Sequence, residues 1–248
     1  MLLSATRVAA AQDTPQFDAI TVRPHDKNDP SQDGGIHWAG LVFEAKNVPL
    51  TFLMVQAFGV KKWLIAGLPA WAEKTTWDVN AKVSEGDLKL MQNMTREQRS
   101  RMLQAVLAEQ FQLRYHYELR VEPVYELAVL PGGPKFKPTP SVAHGSGWTF
   151  TQGLVKVEAI TMAQFVNGLS PLVERVVVDK TSLAGMYDME LHWTPEASSA
   201  SNTDNGLPEA ATPGIYTALR EQLGVKLTSA KAPVPVLVVD KMEQPEAN

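Results

Sequence analysis

The sequence predicts an α+β protein, a tandem duplication of one β-α-β-β-α-β-β unit with small mixed sheets packed on helices. Three observations carry this. Residues 40–83 and 153–193 both open on Gly-Leu-Val and both close near an aromatic-Asp-apolar triplet, Trp77-Asp78-Val79 and Tyr187-Asp188-Met189. The halves that follow also match, Leu107-Ala-Glu-Gln-Phe111 with Leu219-Arg-Glu-Gln-Leu223, and Pro123-Val-Tyr-Glu-Leu127 with Pro235-Val-Leu-Val-Val239. The three offsets, 113, 110 and 112, are nearly constant, which is the mark of duplication of a unit of about 90 residues.

Residues 1–16 read as the remnant of an export signal, because Ala9-Ala10-Ala11 before Gln12 fits a small-residue cleavage site. The first unit spans 17–130. Phe17–Arg23 reads as a strand stopped by Pro24, and His25–Gly35 as a loop. Leu41–Ala45 is a short strand. Asn47 is the expected N-cap of a helix that carries Leu50, Leu53, Met54 and Ala57 on one face and stops at Gly59. Lys62–Ala66 reads as a strand, and Thr75–Val83 alternates with Trp77, Val79, Ala81 and Val83 on one side. Thr95-Arg-Glu-Gln98 is a capping box that opens a helix over 96–112. Leu113–Val121 alternates with Tyr115, Tyr117, Leu119 and Val121 on its apolar side, and a last strand follows Pro123.

Residues 131–152, rich in Pro and Gly, read as a linker. The second unit, 153–248, repeats the order. Strands are expected at Leu154–Glu158, Arg175–Asp179 and Met186–Trp193. Helices are expected from the capping box Thr161–Gln164 to Leu169, and from Thr212-Pro213 to Gly224. Val225–Ser229 and Val234–Lys241 form a closing hairpin.

The chain of 248 residues has a net charge of −4 and no cysteine. Thiol chemistry, disulfides and Cys-based metal sites are excluded. No basic footprint for nucleic acid is present, and no apolar run is long enough to span a membrane.

Several blocks together are similar to a known family. They are Phe17-Asp-Ala-Ile-Thr-Val-Arg-Pro24, Val178-Asp-Lys-Thr-Ser-Leu-Ala-Gly-Met-Tyr-Asp188, Glu221-Gln-Leu-Gly-Val-Lys-Leu227 and Val238-Val-Asp240. They resemble a large paralogous family of exported acidobacterial proteins that carries a domain of unknown function. The resemblance implies an exported protein, periplasmic or extracellular, and implies no activity. The chain departs from the family where Ser182 stands in place of the glycine of Asp-Lys-Thr-Gly, which weakens any demand for a positive φ there. By order of elements alone, each half also resembles the N-terminal signalling domain of TonB-dependent receptors and secretins.

Catalytic motifs are sparse. Asp179-Lys180-Thr181 also occurs around the phosphorylated aspartate of cation pumps, but it reads here as a strand end whose Asp and Thr satisfy local amides. His116 with Glu118, and Glu190 with His192, could each offer two ligands to one ion, yet the pairs are not at equivalent positions of the two units, each lies on a polar strand face, and there is no His-Glu-x-x-His helix. Ser146 lies in the linker, outside any nucleophile elbow. No catalytic residue, metal ligand or cofactor is therefore expected.

The leading expectation is a non-enzymatic binding or sensory-adaptor module of the bacterial cell envelope that docks a protein or peptide. Trp71 would anchor the partner, and Val124, Tyr125 and Leu127 would offer a sheet edge for strand addition. One alternative is an envelope hydrolase or metal-dependent enzyme with its site between the units. Another is a structural surface or assembly subunit that self-associates.

Overall fold

In a computed structural model, residues 15–29, 33–139, 147–151, 153–194 and 213–245 are described. The chain is α+β and divides into two compact units, one running up to Leu119 and resuming at Pro235, the other spanning Arg120–Val234.

The first unit is built on a four-stranded antiparallel sheet. Its strands are β1 (Phe17–Pro24), β2 (Gly35–Ala39), β3 (Val42–Pro49) and β5 (Thr76–Val83), in the order β1-β5-β3-β2. Alternation along β5 buries Trp77, Val79, Ala81 and Val83. Trp77, Val79 and Ala81 meet the buried face of α1 (Leu50–Phe58), namely Leu50, Leu53, Met54 and Ala57, and that of α4 (Arg96–Gln110), while Val83 clusters with Met102 of α4. The α4 capping box is formed as expected: Thr95 Oγ1 accepts from the Gln98 amide and Gln98 Oε1 from the Thr95 amide. The C-terminal carbonyls of α1 are met by α4 side chains, with Gln104 Nε2 donating to the Ala57 oxygen at 2.7 Å and Ser100 Oγ to the Gln56 oxygen at 3.4 Å. Two short helices, α2 (Trp71–Lys74) and α3 (Leu88–Gln92), were not expected. The expected strand over 62–66 is a 3₁₀ turn, Lys62–Leu64, followed by the two-residue β4 (Ile65–Ala66).

Asn47 does not cap α1. Pro49 takes that place, and Asn47 adopts φ +49° where β3 loses register with β5 between Ala45 and Val48. Asparagine tolerates this left-handed conformation better than most residues.

The second unit has an antiparallel sheet of β7 (Lys137–Pro138), β8 (Gly147–Thr151), β9 (Leu154–Ile160) and β11 (Tyr187–His192), in the order β7-β11-β9-β8. β7 and β8 lie in the stretch read as linker. Helix α5 (Met162–Leu169) opens on the second capping box, Thr161 with Gln164. It packs with α6 (Ile215–Gln222) over a core that includes Ile160, Phe165, Leu191 and Leu219. Thr212 lies outside the described residues, and the N-cap of α6 is Gly214.

Several matching places in the two units lie 112 residues apart: Phe43 on β3 and Val155 on β9, Leu53 on α1 and Phe165 on α5, Leu107 on α4 and Leu219 on α6. Ala159, 112 after Asn47, is likewise left-handed at φ +52°.

Two long strands differ from expectation. β6 (Arg114–Val129) runs unbroken through Pro123, and β12 (Val225–Lys241) runs unbroken through Pro233 and Pro235. They are neighbours in a third sheet, of order β10-β6-β12-β4, with β10 at Val176–Asp179. The division into units falls inside both strands. In the first unit β4 pairs in parallel with the end of β12, Ile65 opposite Leu237. In the second unit β10 pairs in parallel with the end of β6, Val177 opposite Tyr125. These two pairs are again 112 apart. The last strand of each sequence unit therefore completes the other unit, where the sequence reading kept 17–130 and 153–248 as continuous blocks. On β6 the alternation was read correctly but its burial was not, since Tyr117, Leu119 and Val121 are 52%, 73% and 68% exposed.

Candidate ligand groove

The first unit carries an open groove of about 360 Å³ between edge strand β2 and helices α1 and α4. Each element brings one face to it. Ile36 and Trp38 are two apart on β2, so they share a side of the strand. Phe52 and Gln56 are one turn apart on α1, and Arg96, Arg99, Ser100 and Leu103 follow helical spacing on α4.

The groove is cationic and aromatic together. The Arg99 guanidinium lies 5.8 Å from the centre of the Trp38 ring, within reach of a cation–π attraction. Its Nε is buried without a hydrogen-bond partner. Neither Arg96 nor Arg99 has an acidic partner among the described residues. Lys61 stands close enough that burial, and then repulsion from Arg96, lowers its pKa. Phe52 is 39% exposed on α1.

The equivalent place in the second unit is filled from within. Trp148, 112 after Ile36, lays its indole over Gly168, 112 after Gln56. The ring stacks on Phe165 at 6.5 Å and 16°. No volume a water could occupy remains there. A side chain on residue 168 would overlap the indole, so the glycine is what admits the ring.

A second polar cluster is structural. Asp78 Oδ1 accepts from the Asn47 amide at 3.0 Å and bonds His25 Nδ1 at 2.8 Å, and Arg23 Nε lies 3.4 Å from Oδ2. Asp188 repeats the arrangement, accepting from the Ala159 amide at 2.8 Å and the Thr139 hydroxyl at 2.7 Å. His25 and Thr139 both follow a proline, and each donates its amide to the carbonyl two residues before the aspartate, Thr76 and Met186. Since Thr139 serves where His25 does, the His25–Asp78 pair closes a turn, whatever else the imidazole does. Burial alone would raise the Asp78 pKa; the Asn47 amide, His25 and Arg23 outweigh it and hold the carboxyl below its ordinary 3.8.

The residues expected to dock a partner lie elsewhere. Trp71 opens α2 and packs into the core of its own unit, near-parallel to Phe111 at 6.5 Å and edge-on to Trp77 at 6.1 Å. Val124 and Leu127 are fully buried. Tyr125 is half-buried, receives a hydrogen bond from the Tyr216 hydroxyl and lies 4.6 Å below the Arg175 guanidinium. The edge-strand expectation is corrected here: β6 lies between β10 and β12, and β10 pairs with Val124–Leu127, the stretch expected to offer a free edge.

The remaining candidates resolve locally. Asp179 accepts from the Thr181 amide and hydroxyl at 2.8 and 2.6 Å, as a strand end does. His116 bonds Asp240 at 2.9 Å, and His192 bonds Glu190 at 2.7 Å, both exposed. Among the described residues no three His, Asp or Glu side chains gather where they could hold a metal. Ser146 lies outside the described residues. No described helix is long and apolar enough to cross a membrane.

The groove was legible only in part. Arg96, Arg99 and Leu103 fall on one helix face, but arginines on a helix surface are ordinary, and β2 alternates over only five residues directly after a stretch rich in Asp, Asn and Gly.

Fold and site together define a cysteine-free α+β protein with an unfilled cationic groove. Residues 51–242 match the family described as protein of unknown function DUF3738, and the chain belongs to that family. Comparison with curated proteins and with solved structures gave no match.

Proposed function

We propose that the protein is a non-enzymatic binding module of the bacterial cell envelope, exported and acting as a sensory adaptor. The observation that carries the binding role is the contrast between two equivalent places: one filled by the chain's own Trp148, the other open and lined by Arg96, Arg99, Trp38 and Phe52. A groove of this size with a few placed polar groups suits a small ligand or the end of a chain. The export remnant in the sequence and the likeness to exported acidobacterial proteins support an envelope setting. The nearly constant spacing of matching residues supports descent by tandem duplication. The likeness to receptor and secretin signalling domains supports a partner-docking role.

The test is a double substitution, Ile36→Trp with Gln56→Gly, which copies the filling of the second unit into the first. Wild-type and substituted protein are each used to capture partners from solubilised envelope. A partner held by the wild type and lost by the substituted protein supports the groove as the docking place. Equal capture by both overturns it.

A further inference from the structure

We infer that the protein pairs with a second copy of itself through the free edge of β8, Gly147–Thr151, the two strands running antiparallel about a two-fold axis at Thr149. The inference stands apart from the groove of the first unit and concerns a different surface.

The edge is open and unguarded. β8 is the last strand of its sheet and pairs with β9 alone among the described strands. Thr151 and Leu154 pair across two intervening residues, so they can only be a hydrogen-bonded pair, and the bonding alternates back along the ladder. Thr149 thus bonds to β9, while Trp148 and Phe150 turn their amides and carbonyls to the open side. Natural edges are blunted by charge, proline, bulges or shortness. β1 carries Asp18, Arg23, Pro24 and a register shift, and β7 is two residues long, Lys137 and Pro138. β4 is also two residues long, and β10 ends on Asp179. β8 reads Gly-Trp-Thr-Phe-Thr, with none of these devices.

The partner is a second copy because the strand complements itself. With the axis at Thr149, Trp148 of one copy lies opposite Phe150 of the other, and the converse holds. Both residues bond outward, so each such pair exchanges two backbone hydrogen bonds. Their rings share one face of the strand, Trp148 against Phe165 and Phe150 against Trp193. They are nevertheless 41% and 54% exposed, so each aromatic cross-strand pair covers surface that its own unit leaves wet. Thr149, exposed on the other face, meets Thr149 of the second copy, a favourable pairing. The strand carries no charge for a foreign partner to match. β2, the corresponding edge of the first unit, does not meet these conditions: Ile36 and Trp38 are half-buried, and the same pairing would set His37 against His37. Two five-residue edges and four half-covered rings bury less than about 1,200 Å² in total, the size of a weak interface, so the dimer forms with concentration.

The test is analytical ultracentrifugation of the full chain between about 1 and 500 µM, a range suited to a weak interface. The wild type is expected to move from 27.2 kDa to twice that mass. Thr149→Lys and Thr149→Glu each place like charges across the axis and are expected to remain monomeric over the whole range. Mixed in equal amounts they are expected to associate again, because lysine then faces glutamate. Thermal melts of each variant should match the wild type, since Thr149 is exposed, which separates a lost dimer from a lost fold. A wild type that stays monomeric overturns the inference, whatever else the edge binds. A dimer that survives both substitutions places the interface elsewhere and overturns it too, and variants that fail to associate when mixed overturn the pairing about Thr149.

Discussion

The carboxylate of Asp78 holds the backbone amide of Asn47 at 3.0 Å, and this fixes a left-handed residue in the middle of a strand. The bond spans the register shift between β3 and β5, which falls between Ala45 and Val48. Asp78→Ala leaves that amide and the buried His25 ring without an acceptor. A loss of about 2–3 kcal/mol is expected, read as a lower urea midpoint with unchanged slope. The same change at Asp188, which lies on the exposed surface, is expected to cost less.

The pH dependence follows from the same bonds. Asp78 and Asp188 both have folded-state pKa values below the ordinary 3.8, Asp188 because the Ala159 amide and the Thr139 hydroxyl favour its charged form. A depressed carboxylate stabilises the fold fully above its unfolded pKa, and the stabilisation is lost as pH falls through the folded value. The stability gap between wild type and Asp78→Asn should therefore be constant above the carboxylate range and shrink below it. A gap that widens on acidification would contradict the assignment.

Ser182 stands in the left-handed region at φ +57°, although the sequence argued that serine there weakens the demand for a positive φ. The demand is real and the serine bears it. Ser182→Gly is expected to raise stability by about 1 kcal/mol. Gly67 has φ +77°, and a Cβ on it would stand 2.6 Å from the Val239 oxygen. Gly67→Ala is expected to cost about 3 kcal/mol, from strain and overlap together. Thermal melts of both variants decide the pair.

Gly168→Ala tests the internal filling. Because the added methyl overlaps the indole of Trp148, the ring must leave its place on Phe165. Tryptophan emission should shift to longer wavelength and stability fall by about 1–3 kcal/mol. Unchanged emission would mean that the helix moves instead of the ring.

Elements whose signals are local were legible. Thr95–Gln98 and Thr161–Gln164 announce α4 and α5, because a capping box needs only four neighbouring residues. Thr76–Val83 announces β5, because its buried face alternates without error. β2 and β8 were missed: edge strands are half exposed, and Trp148 and Phe150 sit in a stretch whose Pro and Gly content reads as linker. Val124 and Leu127 were read as an edge because Pro123 hid the continuity of β6. The roles of Trp71 and Asn47 depend on residues dozens of positions away, Phe111 and Asp78, and no local pattern reports such partners.

The exchange of last strands also bears on how the chain is made. The segment after Pro235, which pairs with Ile65 and Ala66 and supplies Leu237 and Val239 to the first core, is synthesised after all of the second unit. The first unit thus waits, unfinished, while the ribosome completes the second, and the order of synthesis is reversed in the order of completion. A nascent chain halted before Pro235 should expose Ile65 and the floor beneath it to proteases. One halted after Lys241 and clear of the exit tunnel should not.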